Sequence, residues 1–141
     1  SKNQESQERK EQSMRETVLL YNFKDAERLM KIRQALMPLG FRLKAVAKED
    51  YLKPVGFLAG LKDIEDNGMV YEGEEFEDEM LLMAGFTSAR IDTLILALRK
   101  KGAGRINYKA VLTETNKNWD SVSLFKEIKR EHEYMTGEGK Q

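Results

Sequence analysis

Two kinds of hydrophobic pattern alternate along this chain, and the series of patterns runs through twice. Thr17-Val18-Leu19-Leu20-Tyr21-Asn22-Phe23 is a short apolar run rich in strand formers. Residues 24–37 place Ala26, Leu29, Met30, Arg33, Leu36 and Met37 at helical spacing, and Pro38-Leu39-Gly40 closes that helix. Phe41, Leu43, Ala45 and Ala47 then alternate with Arg42, Lys44 and Val46, which predicts a second strand with two unlike faces. Residues 51–61 hold Pro54 and a short apolar stretch, the mark of a brief helix. After an interruption, Met80-Leu81-Leu82-Met83-Ala84-Gly85-Phe86 predicts a third strand. Thr87 or Ser88 can cap the next helix, whose Ile91, Leu94, Ile95 and Leu98 share a face. Gly102 and Gly104 end it, and Arg99, Lys100 and Lys101 suit the negative end of its dipole. Ile106, Tyr108, Ala110 and Leu112 alternate with Asn107, Lys109, Val111 and Thr113 in a fourth strand. A last helix runs from about Asp120, its N-cap, to about Tyr134, with Val122, Phe125, Ile128 and Met135 on its buried side.

The two runs match residue by residue. Leu19 to Phe23 lines up with Leu82 to Phe86. Leu29, Ile32, Leu36 and Gly40 line up with Ile91, Leu94, Leu98 and Gly102, and Lys44-Ala45-Val46 with Lys109-Ala110-Val111. This predicts an internal repeat, with half-repeats 17–61 and 80–135 in a single α/β domain spanning 17–135. Residues 62–79 separate the halves. They carry Asp63, Glu65, Asp66, Glu72, Glu74, Glu75, Glu77, Asp78 and Glu79 against the single base Lys62, and read as a solvated acidic linker. Residues 1–16 read as a flexible arm and 136–141 as a tail. Strands one and three are apolar on both faces and therefore central. The preferred fold is an open parallel sheet of order 2-1-3-4 flanked by helices, with the long connection between strands two and three a right-handed crossover. The alternative is a ferredoxin-like sheet of order 4-1-3-2 with both long helices on one face.

Composition narrows the chemistry. Of 141 residues, 24 are Lys or Arg and 24 Asp or Glu, so the net charge is zero. A duplex-DNA binder needs a basic surplus, and none exists. Without cysteine the chain has no disulfide, thiolate site or cysteine nucleophile, and its single histidine, His132, rules out a multi-histidine metal site within one chain. No window is apolar for the length of a membrane span. The polar N-terminus lacks the apolar core of a secretory signal, so the expected location is cytoplasmic.

The richest chemistry lies in Lys109-Ala110-Val111-Leu112-Thr113-Glu114-Thr115-Asn116-Lys117-Asn118-Trp119, a passage from strand end to helix start. Free backbone N–H groups and the helix dipole at such a junction favour an anionic ligand. Thr113, Thr115, Asn116 and Asn118 add neutral donors, and Trp119 an aromatic wall. In a parallel sheet, Asn22 and Gly85 would lie on the same rim, where ligands collect in open α/β folds. The candidate ligand-binding set is therefore Asn22, Lys109, Thr113, Thr115, Asn116, Asn118 and Trp119. Plain turn and capping roles account for the same Thr and Asn residues, and a staple into the core for Trp119. Lys44 and Lys109, at matched positions on edge strands, are either paired anion contacts or guards against edge pairing. The acidic run lacks the spacing of a calcium loop. His132 is expected to be exposed. No phosphate loop, GxGxxG or GxSxG occurs.

The string KAVLTETNKNW, preceded by the MLLMAGF strand and an amphipathic helix, resembles the signature of a small uncharacterised bacterial domain family of unknown function. The likeness covers roughly Met80 to Glu133 and rests on the Lys-Ala-Val-Leu-Thr core, Asn116 and Trp119. The first half resembles a degenerate copy: it reads Ala47-Lys48 where the second has Leu112-Thr113, and has no Asn/Trp equivalent. The resemblance implies no activity. The resulting expectation is a non-catalytic module without a cofactor that binds a small anionic ligand or a protein partner, with no duplex DNA and no membrane, its oligomeric state left open. Two alternatives stand beside it. One is a small enzyme using Thr113, Asn116 and Lys109 on a phosphorylated or carboxylate substrate; the other is an assembly protein pairing through an edge strand or an uncovered sheet face.

Overall fold

The computed structural model describes residues 14–137. The expected arm lies outside them except for 14–16, and the expected tail except for 136–137. Four strands, β1 (Thr17–Tyr21), β2 (Arg42–Ala45), β3 (Met80–Ala84) and β4 (Tyr108–Val111), form one open sheet of order β2-β1-β3-β4. The helices are α1 (Ala26–Leu36), α2 (Val55–Leu58), α3 (Ser88–Lys101) and α4 (Ser121–Thr136). Every residue of β1 and β3 is buried, as the doubly apolar runs required for central strands.

The strand order is the expected one, but the sheet is mixed. β1 and β2 are parallel, β3 and β4 are parallel, and β1 and β3 run antiparallel, with Thr17 opposite Ala84 and Tyr21 opposite Met80. The physical reason lies in the connection. No long crossover helix returns the chain: between β2 and β3 the only α-helix is the four-residue α2, and Tyr51, Tyr71 and Phe76 of the connection stay packed on the sheet face at Leu19 and Tyr21. β3 therefore starts at the end of the sheet where β1 and β2 finish.

Chain reversal also decides the layers. Each half is a parallel β-α-β unit with its long crossover helix, and right-handed crossovers leading outward from antiparallel central strands put both helices on one face. Ile32 and Leu36 of α1 and Leu94 and Leu98 of α3 pack together there on Val18, Leu20, Leu81 and Met83. The opposite face is covered by α2, α4 and the 62–79 segment over Leu19, Tyr21, Met80 and Leu82.

The helix ends follow their sequence signals. Asp25 accepts from the Glu27 and Arg28 N–H groups, Thr87 from Arg90, and Asp120 from Ser123. Gly102 closes α3 with φ 67°. On α1, Ile32, Ala35 and Leu36 turn inward, whereas Met30 and Met37 of the expected apolar stripe stand 58% and 63% exposed.

The segment read as a solvated linker has no helix or strand, yet it is built into the core. Ile64 and Phe76 are buried, and the Phe76 ring stacks between Tyr51 (4.3 Å) and Phe125 (4.2 Å). Residues 14–16 are likewise attached: Met14 packs on the α4-side core and Glu16 pairs with Arg90.

Candidate functional site

Beyond β4 the chain makes a tight polar turn. Leu112 N–H donates to Met83 O, prolonging the β3–β4 pairing by one bond. Thr113 and Asn116 then lock each other. The Asn116 N–H donates to Thr113 Oγ1 at 3.1 Å, the Thr113 N–H donates to Asn116 Oδ1 at 2.9 Å, and Asn116 Nδ2 reaches back to Val111 O at 3.0 Å. Asn116 is buried while Thr113, Thr115 and Asn118 are exposed. Trp119, 37% exposed, is half turned to solvent rather than stapled into the core.

The far side of the turn is bound to α2. Gly56 N–H donates to Lys117 O and Val55 N–H to Trp119 O, both at 2.8 Å, so the first amides of α2 are taken by carbonyls. Only glycine fits at position 56: a Cβ there would meet Lys117 O at 2.8 Å and Ile64 Cδ1 at 2.5 Å. At the start of α4 the favoured negative charge is supplied by the chain itself, in the Asp120 carboxylate 2.7 Å from the Ser123 N–H. Ser121, fully buried, shares a 2.8 Å hydrogen bond with the Tyr21 hydroxyl.

Asn22 is not part of this constellation. Because β1 opposes β3, it sits at the other end of the sheet from Gly85 and the 113–119 turn. Its Nδ2 donates to Phe76 O at 2.9 Å, and its backbone adopts φ 66°, which Asn tolerates better than most residues. There it borders a cavity of 240 Å³ with Leu20, Lys24, Val46, Lys48 and Glu75. Tyr51 donates to Glu75 at 2.5 Å nearby. Burial pushes the Tyr51 phenol far above its usual range, and the Glu75 carboxylate adds to the rise. Burial does the same to Tyr21, against the lowering effect of the Ser121 hydrogen bond, so both remain neutral hydroxyls.

Lys109 donates to Ile106 O at 2.8 Å, and burial, helped by Arg105 and Arg99, lowers its ammonium pKa. The expected match between Lys44 and Lys109 is off by one residue. Lys44 is opposite Leu19, and Ala110 is opposite Leu82, so Lys44 and Ala110 hold equivalent places. A one-residue slip reverses the face. Lys44 lies on the α2 side, bonded to Leu58 O, and Lys109 on the α1–α3 side. The two cannot converge on one anion.

The acidic carboxylates are dispersed. Glu77 pairs with Lys129, Glu79 with Arg28 at 2.9 Å, and Asp78 accepts from Asn107. Among the described residues no group of three or more His, Asp or Glu side chains is placed to hold a metal. His132, expected to be exposed, is half-buried with its ring edge-on to Tyr108 at 5.1 Å.

Sequence reasoning missed the surface where apolar and charged groups do gather. A shallow groove of about 670 Å³ runs along the outer side of the α1–α3 layer, lined by Met30, Arg33, Gln34, Met37, Pro38 and Lys101. Among the described residues neither Arg33 nor Lys101 has a carboxylate within ion-pair distance. The signal was available: Leu29, Ile32 and Leu36 alone match the buried stripe of the second half, which leaves Met30 and Met37 over.

The 113–119 turn is thus a fastener between β4, α2 and α4. Asn116→Ala should cost about 1 kcal/mol, because it strands the Thr113 amide and the Val111 carbonyl. Urea denaturation followed by Trp119 fluorescence would measure it, with the exposed Asn118→Ala as a silent control.

These elements define an open mixed α/β fold of two β-α-β units. Residues 79–135, from the residue before β3 almost to the end of α4, match a family model described as a domain of unknown function (DUF3783). No curated protein matches the chain, and no solved structure does. Among the described residues no helix is long and apolar enough to cross a membrane.

Proposed function

We propose that this chain is a non-catalytic protein-interaction module, made of two related half-units, which engages its partner through the methionine groove of the α1–α3 layer. The observation that carries the reading is the pair of exposed side chains Met30 and Met37 beside Arg33, Pro38 and Lys101. Methionine on a surface is adaptable, and flexible thioethers suit a contact with another protein. Two cations at the rim, neither ion-paired among the described residues, select an acidic segment with apolar anchors. The duplicated origin is supported by equivalent features in the two halves. Leu19 and Leu82, matched in the repeat, face each other in the sheet, and positive φ recurs at Asn22 (66°) and Gly85 (80°).

A small-ligand or enzymatic reading draws less support. The 240 Å³ cavity beside Asn22 is below the usual size of ligand sites. The backbone amides of Thr113 and Asn116 are spent on each other's side chains and Asn116 Nδ2 on Val111 O, and the two tyrosine hydroxyls near the sheet end are neutral and bonded. The test is comparative capture on the immobilised full chain, with and without Met30→Glu and Met37→Glu. Both positions are exposed, so the double variant should melt with the wild type. The expected result is a bound protein that loses affinity about tenfold or more with the variant. Equal retention by the two forms, or no protein retained by either, would refute the module.

A further inference from the structure

The partner's chemistry, as read from the groove, is present elsewhere on this chain. The 62–79 segment carries two apolar side chains that its own fold leaves outside: Met69 is 50% and Val70 61% exposed. They are not on a loose loop. Asp66 Oδ1 accepts from Gly68 N–H at 2.9 Å and from Lys53 Nζ at 2.5 Å. Asn67 accepts from Met69 N–H at 3.0 Å and donates to Leu52 O at 2.9 Å. Gly68 takes the left-handed conformation the turn needs, φ 70°, and Tyr71 N–H ties the far side down to Glu49 O at 3.0 Å. The turn's hydrogen bonds therefore hold Met69 and Val70 outward as a fixed projection. Close to it in the chain are Glu65, Glu72 and Glu74, all exposed and without a cation in ion-pair distance among the described residues.

We infer that the Met69–Val70 projection of one copy docks into the Met30–Met37 groove of a second copy. This rests on the groove being the binding surface. Apolar tip meets apolar groove, and Glu65, Glu72 and Glu74 meet Arg33 and Lys101. The two surfaces lie on opposite faces of the sheet, so a single copy cannot satisfy itself. Residues 1–13 and 138–141 hold no large apolar side chain. Because the surfaces differ, the contact is head-to-tail. Each dimer keeps one free groove and one free projection, and association continues with concentration unless a ring closes.

The test is sedimentation velocity on the full chain over a concentration series. Three forms are compared: wild type, a groove variant (Met30→Glu with Met37→Glu) and a projection variant (Met69→Lys with Val70→Lys). All four positions are at least half exposed, so each form should keep its fold, which circular dichroism checks. The expected result is a mass that rises with concentration for the wild type and stays at one chain for either variant alone. An equimolar mixture of the variants retains one intact groove and one intact projection. It should form a dimer and grow no further, and this dimer should weaken as salt is raised. A wild-type chain that remains a monomer at millimolar concentration overturns self-docking. So does a mixture that stays monomeric while the wild type associates. In either case a partner captured by the wild type and lost by the groove variant still upholds the module, so the two failures are separable.

Discussion

Phe76→Ala should destabilise the folded chain by about 3–4 kcal/mol, the cost of emptying an aromatic core position. The ring is 8% exposed and lies between two others, nearly parallel to Phe125 (8°) and close to parallel to Tyr51 (18°). Tyr21 adds a third neighbour at 5.9 Å. No side chain nearby can collapse into the space, since these rings are fixed by β1, α4 and the turn before α2. The residue also anchors the surrounding segment: its carbonyl accepts from Asn22, and its amide donates to the Glu75 carboxylate that holds Tyr51. Urea denaturation of the variant checks the figure. Glu72→Gln and Glu74→Gln, on exposed side chains of the same segment, should each change stability by under about 0.5 kcal/mol. A Phe76→Ala cost as small as theirs would return 62–79 to the status of a solvated connection.

That segment marks one limit of what the sequence made legible. Nine carboxylates within it outweigh two buried apolar side chains in any average of the stretch, so composition hid Ile64 and Phe76. The doubly apolar runs 17–23 and 80–86 placed β1 and β3 at the centre correctly, because burial on both faces is a property of position. Strand direction is different: an apolar pentapeptide offers the same faces read either way. It is set by where the preceding connection delivers the chain, here by the packing of Tyr51, Tyr71 and Phe76 at the end of the sheet where β1 finishes.

The shared rim expected of Asn22 and the 113–119 turn broke at the same point. The rim joining Asn22 to the 113–119 turn depended on strand ends lying together, and antiparallel central strands put them at opposite ends. The Lys44–Lys109 match failed because identical Lys-Ala-Val strings were aligned by letter, one residue away from the register the sheet imposes. Asp120 was legible as a cap, but not as the carboxylate that already occupies the anion-favouring end of α4.

Arg28→Ala should cost about 2–3 kcal/mol, between the worth of exposed and of fully buried ion pairs. The Arg28 side chain is 19% exposed and its guanidinium faces Glu79, whose side chain is 21% exposed, with Nη2–Oε1 at 2.9 Å and Nε–Oε2 at 3.1 Å. It also donates to Ala103 O at 2.8 Å and Arg105 O at 2.7 Å, the carbonyls that follow α3. Truncation leaves a half-buried carboxylate and two carbonyls without their donor. In a double-mutant cycle, Arg28→Ala and Glu79→Ala should couple by about 1 kcal/mol or more, whereas additive losses would mean that the contact carries little. The other half repeats the arrangement. Arg90 on α3 pairs with Glu16 through Nε at 2.8 Å, donates to Leu39 O at 3.0 Å and lies over the Phe41 ring. Glu16 and Glu79 immediately precede β1 and β3, and Arg28 and Arg90 occupy the first turns of α1 and α3. Each arginine thus clasps the glutamate before the other half's central strand and a carbonyl after the other half's helix. Arg90→Ala should therefore lower the unfolding midpoint in the same direction as Arg28→Ala. Combining the two should keep a single cooperative transition shifted further down, because the β1–β3 ladder still joins the halves.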